Sequence, residues 1–181
     1  LYARGSLFHR SRAREMMEDL GLDVLVALSP VNVRYLTGHW NSLETTFTDY
    51  MMMVNGSAAM TFAPAASFDG SDISLISHAL TSMPPPDEGV TTVPFGSAGL
   101  VASRVGALAA ALSSREGGPR RVGVDLDGCS AREWTEIRTA LPGSILLDAS
   151  VVFRFLRSVK TEWEVTCAER AVLATEAAMM A

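Results

Sequence analysis

The hydrophobic positions recur in two rhythms. Ala13, Met16 or Met17, and Leu20 fall at helical spacing before Gly21, so residues 8–20 read as an amphipathic helix with a glycine stop. Asp23 to Leu28 follows as a short apolar run of the kind that forms a buried strand. Ser29-Pro30 then marks a helix start, because serine caps and proline fits the first turn, where its missing N–H costs nothing. That helix is expected to run through Tyr35 and to end before Gly38. Residues 39–47 show neither period and read as a loop. Tyr50 to Phe62, broken by Asn55-Gly56, has the form of a β-hairpin, since Asn-Gly supplies the positive φ angles of a primed turn.

Further along, residues 71–82 fit a helix or a strand equally, and Pro84-Pro85-Pro86 with Asp87-Glu88-Gly89 reads as a surface connection. Val90 to Phe95 is a predicted strand. Val101, Val105, Leu108 and Leu112 step by four, three and four, which predicts a helix over 99–114 ended by Gly117-Gly118-Pro119. Val122 to Leu126 and Ser144 to Leu147 are two more predicted strands. Between them Ser130 and Glu133 have capping-box spacing ahead of Trp134, Ile137 and Leu141, and Thr161 and Glu164 repeat that spacing ahead of a final helix. Trp163, Cys167, Ala171, Ala174 and Ala178 mark one face of it. Strands alternating with helices after one hairpin make this an α/β chain with a mixed β-sheet flanked by helices. A boundary is expected near Arg154 to Lys160, where the last strand gives way to the long terminal helix. The chain opens on Leu1 and stops at Ala181 within a helical pattern, so a piece of a longer protein is expected.

Composition narrows the class without naming a reaction. The 181 residues are 48% hydrophobic and 19% charged, enough for a substantial core. The net charge of −5 opposes a general nucleic-acid role, which needs the other sign. Val151-Val152-Phe153 is cut by Arg154 and Arg157, and no run approaches the roughly 18 apolar residues of a membrane span. Cys129 and Cys167 form no Cys-x-x-Cys pair, so two isolated thiols and a reducing, cytoplasmic setting are expected. No secretory signal pattern opens the chain, and Arg4, Arg10, Arg12 and Arg14 are read with Glu15, Glu18 and Asp19 as a solvated helix face.

Candidate chemistry is sparse. His9, His39 and His78 lie in separate segments without a second ligand one turn away, and His9 and His78 are expected at the surface or partly packed. Asp125-Leu-Asp127-Gly128 lacks the glycine position and final glutamate of a calcium loop, and it reads as a strand end entering a capped helix. Gly96-Ser-Ala-Gly99 opens a helix after a strand, where backbone amides can hold phosphate, but it has no P-loop lysine and no dinucleotide spacing. No Gly-x-Ser-x-Gly elbow occurs. The 14 arginines against one lysine are scattered, and compositional bias accounts for them. The loop 39–47 stands out because it places Trp40, Glu44 and Phe47 on a scaffolded connection, where exposed groups of this kind make contacts.

The order of motifs is then recognisable. Arg10-Ser-Arg-Ala-Arg-Glu-Met-Met-Glu-Asp-Leu-Gly-Leu-Asp-Val-Leu-Val, followed by Ser29-Pro-Val-Asn-Val-Arg-Tyr-Leu-Thr-Gly38, resembles the opening of the creatinase and prolidase family, which includes aminopeptidase P. Phe155-Leu-Arg-Ser-Val-Lys-Thr-Glu-Trp-Glu164 resembles the segment joining that family's N-terminal and catalytic domains. The resemblance implies a ribonuclease H-like creatinase N-terminal domain over residues 1–155, with 156–181 as linker and first helix of a C-terminal catalytic domain that is missing here. In the family's peptidases that domain holds a divalent metal pair through two aspartates, a histidine and two glutamates, and attacks a peptide bond preceding proline. Creatinase shares the fold and works without metal. The present chain is therefore expected to be catalytically silent, to bind no cofactor or metal itself, and to serve oligomerisation, as a homodimer or larger homo-oligomer, and shaping of the active-site entrance. The resemblance assigns the entrance contacts to the loop carrying His39, Trp40, Glu44 and Phe47. A stand-alone dimerisation or small-ligand-binding module, and a metal-free creatinase-like amidinohydrolase parent, are the alternatives.

Overall fold

Gly21 closes helix α1 (Arg10–Leu20) by adopting φ 60°, so that its N–H reaches Glu18 O and the Leu22 N–H reaches Met17 O. This left-handed closure brings Leu22 back onto the last turn. Leu22 therefore packs in the core with Ala13 and Met17, while Leu20, expected on the apolar stripe, is half exposed. The structure is a computed structural model that describes residues 6–39, 63–78, 89–96, 100–113, 118 and 120–180. The predicted hairpin over 50–62 and the Pro84 to Pro86 connection lie outside the described residues.

Strand β1 (Val24–Ala27) is buried along its whole length, as expected for a run without polar alternation. Leu25 and Ala27 face one core and Val24 and Val26 the other. It is central in a sheet of order β4-β3-β2-β1-β5-β6, with β2 (Ala65–Phe68), β3 (Ile73–His78), β4 (Val90–Phe95), β5 (Arg121–Val124) and β6 (Ile145–Asp148). The sheet is mixed: β1–β2 and β2–β3 are antiparallel, whereas β3–β4, β1–β5 and β5–β6 are parallel. The ambiguous stretch 71–82 is thus resolved as a strand over Ile73–His78. Gly123 in β5 is there for close approach, since a Cβ would meet Ala149 and Leu22 at 3.0 Å and Leu25 at 3.1 Å.

Helices cover both faces. On one, α1, α2 (Pro30–Thr37) and α5 (Ser150–Ser158) pack Phe8, Met17, Leu36, Phe153 and Leu156 against Leu25, Phe68 and Leu75. On the other, α3 (Leu100–Ser113) and α4 (Ala131–Ala140) pack Val105, Leu108, Leu112 and Ile137 against Val24, Ile76 and Val122. Helix α5 corrects the expectation that the last strand passes directly to the terminal helix. Its Val-Val-Phe run looks strand-like, yet Asp148 Oδ1 accepts the Ser150 N–H at 2.9 Å and starts a helix that buries Val152, Phe153 and Leu156. The last helix, α6 (Glu162–Met180), begins at a complete capping box, with Thr161 N–H on Glu164 Oε2 at 2.9 Å and Glu164 N–H on Thr161 Oγ1 at 3.1 Å. None of its 19 residues is buried.

Asp125, immediately after β5, fixes the start of α2. Its Oδ2 accepts the Ser29 hydroxyl at 2.6 Å, Asn32 Nδ2 at 2.7 Å, and the backbone N–H groups of Ser29 at 3.0 Å and Leu28 at 3.4 Å. The residue is fully buried, so these bonds compensate the desolvation of its carboxylate. Asp125→Ala leaves those donors without their acceptor and is expected to destabilise the fold by about 3 kcal/mol. In thermal unfolding that appears as a fall of roughly 6–12 °C; a change below about 1 °C would show that the carboxylate is not bracing the turn.

Candidate functional site

The loop singled out by sequence grows from the C-terminal end of α2. Ser29 Oγ accepts the Asn32 N–H at 3.4 Å at the front of this helix, and Gly38 closes it at φ 67°. Thr37 Oγ1 donates to Val33 O at 2.7 Å and accepts the His39 N–H at 3.1 Å, which turns the backbone out of the helix at a fixed angle. His39 is 2% exposed, so its ring packs at the root of the loop. Trp40, Glu44 and Phe47 lie outside the described residues. Of the four expected entrance residues, the structure therefore places one, at the base.

Beside this root runs a groove of about 1010 Å³ between α6 and the body of the domain. Leu7, Arg34 and Gly38 line it on the body side, and Trp163, Cys167 and Leu173 on the helix side. Its charges are mixed. Lys160 Nζ stands 3.7 Å from Glu164 Oε1, and the Arg170 guanidinium lies 5.8 Å from the centre of the Trp163 ring. Tyr35, behind the groove on α2, donates its hydroxyl to Leu156 O at 3.2 Å, and burial pushes its pKa up.

A second polar cluster lies at the C-terminal ends of β1 and β5. Arg104 of α3, itself 2% exposed, pairs with Glu133 of α4 and donates Nη1 to Ala63 O at 2.9 Å. Glu133 also completes the Ser130 capping box, so one carboxylate serves cap and ion pair together. Burial raises the pKa of the nearby Cys129 thiol, with Arg104 opposing and Asp125 reinforcing the shift. The shift lowers the fraction present as thiolate, the nucleophilic form.

No group of three or more His, Cys, Asp or Glu side chains that could hold a metal occurs among the described residues. His78, expected at the surface or partly packed, is 1% exposed and sits edge-on to Phe95 at 5.3 Å, because it ends β3 inside the sheet. Gly96 directly follows β4, and residues 97–99 lie outside the described residues. The donor set is therefore one of capping, buried pairing and packing.

The sequence profile of the Creatinase/Prolidase N-terminal domain matches residues 9–159. The chain belongs to this family. Solved structures share the creatinase/prolidase N-terminal fold, a mixed sheet flanked by helices. The prolidase from Pyrococcus horikoshii OT3 is 16% identical at a TM-score of 0.61, over 95% of this chain and 41% of that one. A proline dipeptidase from Streptococcus pneumoniae TIGR4 is 16% identical at 0.59, over 85% of this chain and 100% of that one. The N-terminal domain of the cytoplasmic peptidase PepQ from Mycobacterium tuberculosis H37Rv is 19% identical at 0.55, over 82% of this chain and 97% of that one. The chain thus spans under half of the Pyrococcus horikoshii prolidase. No curated protein sequence matches it significantly.

Against this family background, Asp125 is the residue that sequence reading undervalued. It appeared as a strand end, and its bonds to residues 28–32 cross a separation of 93–97 positions. The groove was equally hidden, since its walls come from both ends of the chain. Among the described residues no helix is long and apolar enough to cross a membrane. The two thiols are expected to differ in reactivity: Cys167 is exposed, whereas Cys129 is half-buried with a raised pKa. Alkylation at neutral pH followed by peptide mass spectrometry should label Cys167 first; faster labelling at Cys129 would contradict the placement of its thiol.

Proposed function

We propose that this chain is the non-catalytic N-terminal domain of a creatinase/prolidase-family hydrolase, a Xaa-Pro peptidase, and that it shapes the active-site entrance and contributes to homo-oligomer formation. One observation carries the reading: α6 extends for 19 residues without burying any of them, yet it exposes Val172, Leu173, Met179 and Met180. A helix of this length gains little stability from propensity alone and is held in proteins by packing. The partner we assign to it is the catalytic domain of the same parent chain. Residues 1–155 then form the N-terminal unit, and 156–181 the linker and first helix of the catalytic unit.

Several features support this division. The polypeptide is braced up to Leu156, which is fully buried, and the packing stops at the Thr161 cap. The Pyrococcus horikoshii prolidase that matches 95% of this chain is matched over only 41% of its own length. In our reading the divalent metal pair belongs to the catalytic unit, as does the water it activates, and the entrance role falls to residues 39–47. We assign the parent to the cytoplasm, on the two free thiols.

The test is kinetic and needs the full-length parent. Trp40→Ala is expected to raise KM for a Xaa-Pro substrate on the order of tenfold, the loss of one aromatic anchor, while metal content stays unchanged. Unaltered kinetics across substrates of several lengths would remove the entrance role. The 181-residue chain alone is expected to hydrolyse no Xaa-Pro dipeptide.

A further inference from the structure

The two outermost strands of the sheet differ along their open edges. β4 carries Pro94, which has no N–H to offer, and exposes Thr91 and Thr92. Such residues blunt an edge against further pairing. β6 has none of these devices: Ile145-Leu-Leu-Asp148 holds no proline or lysine, and its one charge falls at the last position. Among the described residues no strand other than β5 pairs with it.

Two bonds fix which way the β6 backbone faces. The Ile145 N–H donates to Arg120 O at 2.7 Å and the Ala149 N–H to Val124 O at 2.9 Å, so residues 145, 147 and 149 turn toward β5. Leu146 and Asp148 consequently turn their N–H and C=O groups to the open edge. The side chains beside that edge are apolar. Leu147 packs against the core under α1, α2 and α5, so Ile145, two positions earlier, stands on the same face, where it is 55% exposed. Helix α5 follows β6 after Ala149 alone, and it leaves Val151 and Phe155, one turn apart, more than half exposed.

Outward N–H and C=O groups are matched by another strand, and β6 is its own complement. Antiparallel pairing about a two-fold axis at Leu146 exchanges the Leu146 N–H and C=O between two copies and sets Ile145 against Leu147 of the second copy, apolar against apolar. It also keeps the two Asp148 carboxylates at opposite ends of the ladder, whereas parallel pairing would bring like charges side by side.

We propose that the β6 edge docks a second copy of this chain, joining two sheets into one with the two α5 helices on one face of the joint. The inference rests on the oligomer role proposed above and assigns its surface.

Sedimentation equilibrium of the 181-residue chain, combined with amide hydrogen exchange, provides the test. A dimer with Kd on the order of 10 µM is expected, because a four-residue edge makes a small interface. The Leu146 N–H should exchange about tenfold more slowly, or slower still, at dimer-forming concentration than in dilute solution. Ile145→Lys places a charge at an exposed position of the monomer and should weaken association by more than about tenfold. Leu146→Pro, which removes the outward N–H, should act in the same direction. Leu173→Gln on α6 should leave the dimer intact, which separates the β6 edge from the exposed apolar residues of α6. A chain still monomeric at about 1 mM, a dimer that Ile145→Lys does not weaken, or a dimer abolished by Leu173→Gln overturns the proposal. In the full-length parent, a dimer indifferent to Ile145→Lys keeps the oligomer role and removes its placement at β6, whereas a monomeric parent removes both.

Discussion

The Asp125 carboxylate holds two distant parts of the chain to one geometry. A fully buried carboxylate is costly unless donors surround it, and here the turn between β1 and α2 supplies two backbone N–H groups, a hydroxyl and an amide. The N-terminus of α2 adds its dipole to the same anion. Because α2 is a short helix, its far end is set by its near end. The placing of Gly38 and His39, where the chain leaves α2, therefore follows from a contact made just after β5.

Around that contact the domain divides into two cores separated by the sheet. The core under α1, α2 and α5 is closely packed: a Cβ at Gly123 would press on Ala149, Leu22 and Leu25 at 3.0–3.1 Å, and Phe8 stacks edge-on with both Tyr35 and Phe68 at 5.4 and 4.9 Å. The opposite core is closed by aliphatic side chains of α3 and α4 and by the buried Arg104–Glu133 pair. The first core also holds α5, the helix that precedes α6. Residues that shape the domain's exit toward α6 are thereby tied to the packing of the sheet.

Local chemistry made much of the fold readable. Ser29-Pro30 and Gly38 delimit α2, the two Ser/Thr-x-x-Glu boxes form as spaced, and the apolar run before Ser29 is the central strand. Strand β2 escaped because Ala-Ala-Ser-Phe has neither alternation nor branched side chains; only its neighbours β1 and β3 make it a strand. Helix α5 escaped for the opposite reason, its β-branched start arguing against the helix that burial of Phe153 and Leu156 imposes. At the site, the family motif located α2 and the root of its loop. The groove and the Tyr35–Leu156 bond needed residues near 7, 34–35 and 156–164 to be brought together, which no local pattern encodes.

The sheet order also bears on how the chain is made. Strands β1 to β4 are complete by Phe95, whereas the partner on the other edge of β1 begins only at Arg121, and the carboxylate that locks the β1–α2 turn lies 97 positions after Leu28. At about 5–20 residues per second, a ribosome needs on the order of 5–20 s to supply it. Throughout that interval β1, the most apolar strand among the described residues, presents an unpaired edge, the kind of surface that other nascent chains can pair with. That exposure ends when β5 docks beside β1.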